Sequence, residues 1–65
     1  MMLKGTVKTI ERSKGWGFIE DQEGYDYFFN VANVRKGQTL KKGTRVKFDA
    51  VETNKGSEAE NISIY

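Results

Sequence analysis

Apolar and polar residues alternate along five short runs of this chain, which is the period of half-buried strands. The first, Leu3–Ile10, sets Leu3 and Val7 on one side against Lys4, Thr6 and Lys8 on the other. Trp16–Glu20 follows a Ser13-Lys14-Gly15 turn, and Tyr25–Val31, dense in aromatics, follows Gln22-Glu23-Gly24. Gly43 opens a fourth run, Thr44–Val51, and the turn signal Thr53-Asn54-Lys55-Gly56 leads into the fifth, Glu58–Tyr65. With no proline, the turns fall to glycine, asparagine and aspartate. Only Asn33–Lys42, a basic loop, lacks a β pattern, and no helix is placed anywhere.

Short strands at near-regular spacing in 65 residues are too few for two full sheets. Closing them into a barrel also hides the sheet edges. The expected fold is therefore all-β, a five-stranded antiparallel OB-fold barrel, with residues 1–65 forming one domain. A domain of this size buries roughly 60% of its unfolded surface, so its stability is expected to be marginal.

The pattern around residues 14–31 departs from ordinary core strands. In Lys14-Gly15-Trp16-Gly17-Phe18-Ile19, Trp16 and Phe18 share one face, while Gly15, Gly17 and Ile19 share the other. If the glycine side is the core side, where the backbone can bend and approach closely, Trp16 and Phe18 project outward. In the next run Tyr27, Phe29 and Val31 are expected in the core, with Asp26, Phe28 and Asn30 outside. Core packing, the commoner fate of strand aromatics, accounts for Tyr27 and Phe29 but not for Trp16 and Phe18. Exposed rings suit nucleic-acid bases, each of which has a π-face to stack. Phe28 would extend the platform of Trp16 and Phe18, and Asn30 would present its amide to a base edge. Lys8 and Lys14 would border it and meet phosphates.

Composition narrows the chemistry. The chain has no cysteine and no histidine, which removes disulfides, thiolate or imidazole metal ligands and most nucleophilic catalysis. No paired catalytic constellation is visible, so no enzyme, cofactor or metal is expected. A net charge of +2 and a pI near 9.0 favour a nucleic-acid partner only mildly. Arg35, Lys36, Lys41 and Lys42 read as a solvated loop contributing a diffuse positive field. The start of the chain shows no signal-peptide pattern and no run of membrane-span length, so a soluble, cytoplasmic protein is expected.

Lys14-Gly15-Trp16-Gly17-Phe18-Ile19 resembles the first ribonucleoprotein motif of the cold-shock domain, usually Lys-Gly-Phe-Gly-Phe-Ile. Asp26-Tyr27-Phe28-Phe29-Asn30-Val31 falls at the spacing of its second, typically Asp-Val-Phe-Val-His-Phe. Lys4-Gly5-Thr6-Val7-Lys8, Thr39-Leu40, Gly43, Val46-Lys47-Phe48 and Ala59-Glu60-Asn61-Ile62 continue the likeness over essentially the whole chain. An RRM would share the first motif but needs helices that this chain lacks. The resemblance implies binding of single-stranded RNA or DNA with low sequence selectivity, through Lys8, Lys14, Trp16, Phe18, Asp26, Phe28 and Asn30, and a nucleic-acid chaperone role.

Departures from the family concentrate at the same surface. Thr9-Ile10-Glu11 stands where Trp-Phe-Asn is usual, Asn30 replaces histidine, Val31 replaces phenylalanine, and the loop after Val34 is shorter and lacks its aromatic. Weaker or differently selective binding is expected. A second reading follows from the same losses: a degenerate barrel using Trp16, Phe18 and Phe28 against a partner protein. A monomer is expected, with a strand-swapped dimer as the alternative.

Overall fold

Strand β1 (Met2–Glu11) is the longest and lies at the centre of the topology. The computed structural model describes residues 2–65, and β1 pairs with two neighbours along different halves of its length. Residues 2–6 run against β4 (Arg45–Thr53), and residues 5–11 run against β2 (Trp16–Asp21). Gly5 is paired on both sides, to Asp21 and Val46. A Cβ there would lie 2.6 Å from the Glu20 carbonyl oxygen, so the crossing of the three strands requires glycine.

With β3 (Asp26–Asn30) and β5 (Gly56–Ile64), the strands close in the order β1-β2-β3-β5-β4. The all-β, five-stranded barrel is as expected, but it is not wholly antiparallel: β3 and β5 pair in parallel at Phe28 and Glu58. Parity demands this. A closed ring with an odd number of strands cannot alternate direction at every step, so at least one pair must run parallel. A parallel bridge from Val34 to Ile62 continues that seam.

The barrel interior is filled by Val7, Ile19, Tyr27, Phe29, Val46, Phe48, Ala59 and Ile62. Each fully buried large side chain contributes about 1.5–3 kcal/mol by leaving water. Leu40 joins this core from the β3–β4 connection. Arg35, Lys36, Lys41 and Lys42 are exposed, as expected of a solvated loop, but the backbone of the connection is tied to the barrel. The Arg35 N–H donates to the Ile62 carbonyl, the Gly43 N–H to the Val7 carbonyl, and the Ile64 N–H to Gln38 Oε1.

Two departures from simple alternation aim side chains. A bulge in β1 leaves Lys8 between the pairs Val7–Ile19 and Thr9–Phe18, so Lys8 and Thr9 are both exposed and Ile10 returns toward the core. At the other site, β3 stops at Asn30. Its Oδ1 accepts from the Ala32 N–H at 2.9 Å and caps a 3₁₀ turn, Val31–Asn33. The alternation that would have buried Val31 ends there. Val31 is instead exposed, and the chain has one short helical turn where none was expected.

Candidate nucleic-acid interface

Strands β2 and β3 place their outward residues directly opposite one another. Trp16 pairs with Asn30, Phe18 with Phe28 and Glu20 with Asp26. The inward set between them is Gly17 with Phe29 and Ile19 with Tyr27, all buried. The glycine side is thus the core side.

The three outward rings form one cluster. Phe18 and Phe28 meet edge to face with centroids 5.8 Å apart, Trp16 meets Phe18 edge to face at 6.1 Å, and Trp16 and Phe28 lie at 6.1 Å with planes only 30° apart. Such geometry follows the ring quadrupoles and adds about 0.5–1.5 kcal/mol per pair beyond area burial. Mutual contact leaves the rings half-buried rather than fully projecting. Trp16 and Phe28 keep similarly oriented faces, and Phe18 stands across them as a wall.

The polar residues around the rings are less free than expected. Lys8 Nζ and Asp26 Oδ2 form an ion pair at 3.0 Å, from β1 to β3 across the outer side of β2. The hydrogen bond that Lys8 donates to that carboxylate, and then the carboxylate's charge, raise the Lys8 pKa above its ordinary value. Lys8 stays protonated, but the paired carboxylate offsets its charge for any approaching phosphate. Asn30 spends its carbonyl oxygen on the 3₁₀ cap, which leaves the NH₂ end of this exposed side chain as its free donor. Lys14 is exposed in the β1–β2 turn, where the Lys14 and Gly15 N–H groups both donate to the Glu11 carbonyl and Gly15 takes φ 83°.

Seven residues singled out from sequence therefore fall on or beside one face. Trp16, Phe18, Phe28 and Asn30 are adjacent, Lys8 and Asp26 are paired at its side, and Lys14 sits in the turn leading into Trp16. Of the two unusual residues after Lys8, Thr9 lies on this face opposite Phe18, whereas Ile10 packs inward. Lys55, Ser57 and Glu58 were not singled out. They form the far wall of a ≈ 540 Å³ cleft whose near wall is Phe18, Asp26 and Phe28. They come there because β5 lies next to β3, a neighbour relation no local pattern shows.

Among the described residues no group of three His, Cys, Asp or Glu side chains is placed to hold a metal ion, and no helix is long and apolar enough to cross a membrane.

A closed five-stranded barrel with an aromatic cluster on two adjacent strands defines a small barrel of OB type. The chain belongs to the 'cold-shock' DNA-binding domain family, which matches residues 3–65. It is similar to a cold shock-like protein of Aquifex aeolicus (strain VF5), 37% identical over 67 residues that cover 98% of this chain and 96% of that one. It is 39% identical to the major cold shock protein of Streptococcus pyogenes serotype M1, over 95% of this chain and 96% of that protein. Cold shock protein CspB of Bacillus caldolyticus is 38% identical over 94% and 96%. Among solved structures, drosophila Unr CSD456 superposes with a TM-score of 0.85 at 19% identity, over all of this chain and 27% of that one. At that identity the likeness concerns the fold.

Proposed function

We propose that this protein is a cytoplasmic, monomeric binder of single-stranded RNA or DNA that stacks bases on Trp16, Phe18 and Phe28 and acts as a nucleic-acid chaperone or regulator of cold-shock type. The observation that carries this reading is the gathering of three large rings, within 6.1 Å of one another, on the outside of a barrel whose core is already full. An outward aromatic cluster has no packing role in that core, and bases can cover it at about 1–3 kcal/mol each. Membership of a family described by DNA binding supports the choice of nucleic acid. Lys14 and Lys55 supply cations at the rim, and the NH₂ of Asn30 a donor for a base edge. No catalytic step is assigned to any residue.

The chaperone role follows from mass action. A base stacked on the protein cannot pair, so binding draws hairpins and duplexes toward the single-stranded state. A monomer suits strands that close into a ring, each with a neighbour on both sides within one chain.

Trp16 is the only tryptophan, so its fluorescence reports directly on the platform. Titration with short pyrimidine-rich single strands at low salt is expected to quench it. Duplex should fail to do so, and added salt should reverse the effect. Unchanged emission with single strands at low salt, together with no binding by labelled-strand anisotropy, would reject the reading in favour of a protein-binding barrel.

A further inference from the structure

Across the barrel from the aromatic platform lies a cluster of cations. In the closed order β1-β2-β3-β5-β4, strand β4 stands opposite the β2–β3 seam that carries Trp16, Phe18 and Phe28. Arg45 and Lys47 alternate along β4 with the buried Val46 and Phe48, and therefore face outward. On β1, Lys4 lies directly opposite Lys47, and Thr6 opposite Arg45. Like charges set directly opposite one another destabilise a sheet, and among the described residues none of Lys4, Arg45 and Lys47 is ion-paired. Two carboxylates stand beside them in register. Asp49, opposite Met2, accepts from the Asn61 amide at 3.3 Å, and Glu20 lies opposite Thr6 on β2. Neither forms an ion pair with the three cations.

The face is also hollowed. Lys4, Thr6, Gln22, Arg45 and Tyr65 surround a hollow of ≈ 260 Å³ over Gly5, and no carboxylate side chain lines it. The Lys4 ammonium lies 5.2 Å from the centroid of the Tyr65 ring, a cation–π contact that keeps the charge at the hollow. Two cations, a hydroxyl, an amide and a phenol are the side chains with which proteins contact nucleic-acid phosphates. Only Tyr65 offers a ring, and Lys4 already lies over it. The hollow therefore suits phosphate rather than bases, and it suits a paired duplex as well as a single strand.

We propose that the outer β1–β4 face, through Lys4, Arg45 and Lys47 with Thr6 and Gln22, is a second nucleic-acid site, which holds the phosphate backbone of a separate molecule while the platform holds the bases of the first. The protein thereby brings two nucleic acids together on opposite sides of a barrel of 24 × 24 × 19 Å. The proposal rests on the single-strand reading of the platform for the first strand, whereas the second site needs only backbone charge. An anion there also offsets the repulsion between Lys4 and Lys47, which no group of the chain relieves by an ion pair.

The test uses a donor-labelled oligothymidylate and a short mixed-sequence duplex that carries an acceptor. Protein with its platform filled by the oligothymidylate, as judged by Trp16 quenching, is titrated with the duplex at low salt. Duplex anisotropy is expected to rise without release of the oligothymidylate, and energy transfer between the two labels to appear. In Lys4→Gln/Arg45→Gln, two exposed side chains outside the core, the transfer should be lost. The log–log salt slope of duplex binding should shrink by about 0.9 for each phosphate contact removed. Trp16 quenching by the oligothymidylate should stay at the parent's level, which also shows the variant to be folded. A duplex that displaces the oligothymidylate, or binds with the same slope in the double variant, would overturn the proposal. A duplex that does not bind, together with a dimer in sedimentation that the two substitutions abolish, would give the face to a second copy of this chain instead. If the platform reading alone fails, Trp16 does not respond and no transfer appears, yet duplex anisotropy keeps its dependence on Lys4 and Arg45.

Discussion

The ring of Phe29 occupies the space in front of Gly17. The two are cross-strand partners, and a Cβ at position 17 would lie 2.8 Å from Cε1 and 2.9 Å from Cζ of that ring, and against the Thr9 carbonyl oxygen as well. Phe29 fills the core in place of the side chain that Gly17 lacks, and this lets the neighbouring Trp16 and Phe18 remain outside.

Gly17→Ala must push either a fully buried ring or the β1 backbone. Overpacking of this kind costs about 1–3 kcal/mol, a large part of what a barrel of this size has to lose. The melting temperature is expected to fall by about 10 °C. Gly17→Ala/Phe29→Leu should recover part of the loss by vacating the space. Calorimetric or urea melts check both, and a Gly17→Ala variant as stable as the parent would show that the close approach is not needed.

Which side of β2 faces the core was legible in the sequence, because two large aromatics alternating with glycine leave only one side able to face a core, although the partner that fills the space before Gly17 was not. The barrel was legible too, from the number and spacing of strands. Other features have no signature in the alternation of apolar and polar residues. The bulge that turns both Lys8 and Thr9 outward has no glycine or proline to mark it. The exposure of Val31 depends on Asn30 spending its side chain on a cap, and Leu40 is the one deeply buried residue of a loop without periodicity. Lys55, Ser57 and Glu58 reach the candidate site only because closure puts β5 beside β3. The basic loop was legible as well: the net +2 sums a basic connection, with Arg35, Lys36, Lys41 and Lys42 exposed on it, and an acidic remainder.

Phe18 and Phe28 are expected to act as a unit. Removing either takes a stacking surface worth about 1–3 kcal/mol of binding, and also the edge-to-face partner that orients the other ring. Phe18→Ala and Phe28→Ala should each weaken single-strand binding, and the double variant should lose less than the two losses added. Stability should change far less than binding, since neither ring is in the core. Single-strand affinities equal to the parent's in all three variants would mark the cluster as packing alone.

Alkali should reveal the buried phenol. Burial, and then its hydrogen bond to Asp21 at 2.8 Å, push the Tyr27 pKa up to about 12, against about 10 for a free tyrosine. A proton held more tightly in the fold means stability that is complete below about pH 10 and lost as pH rises toward 12. Ultraviolet titration should show one of the three tyrosines ionising late, and Tyr27→Phe should remove that step at a cost of about 1 kcal/mol. Asp21 gives the opposite sign. Burial alone would raise its pKa, but donation from the Tyr25 N–H, the Tyr27 hydroxyl and the Glu23 N–H outweighs this and holds it below the ordinary value. Its contribution is present above about pH 4 and is lost as pH falls through the lowered value. Asp21→Asn should therefore flatten the acid side of the stability profile, and an unchanged profile would contradict the assignment.

The Lys8–Asp26 pair makes the last prediction run against simple loss of function. Asp26 belongs to the motif proposed to bind, yet its carboxylate cancels the nearest cation and would repel a passing phosphate. The pair is solvent-exposed, with side chains 48% and 41% accessible, so breaking it should cost the fold little. Asp26→Asn keeps the shape, retains an amide for hydrogen bonding and frees Lys8. Single-strand affinity at low salt should rise, and the log–log salt slope should steepen by about 0.7 if Lys8 then meets one phosphate. In Lys8→Gln/Asp26→Asn the slope should return to the parent's value, because the parent's pair contributes little net charge. Weaker binding by Asp26→Asn with an unchanged slope would mean that the carboxylate itself contacts a base, accepting a hydrogen bond that the amide cannot replace.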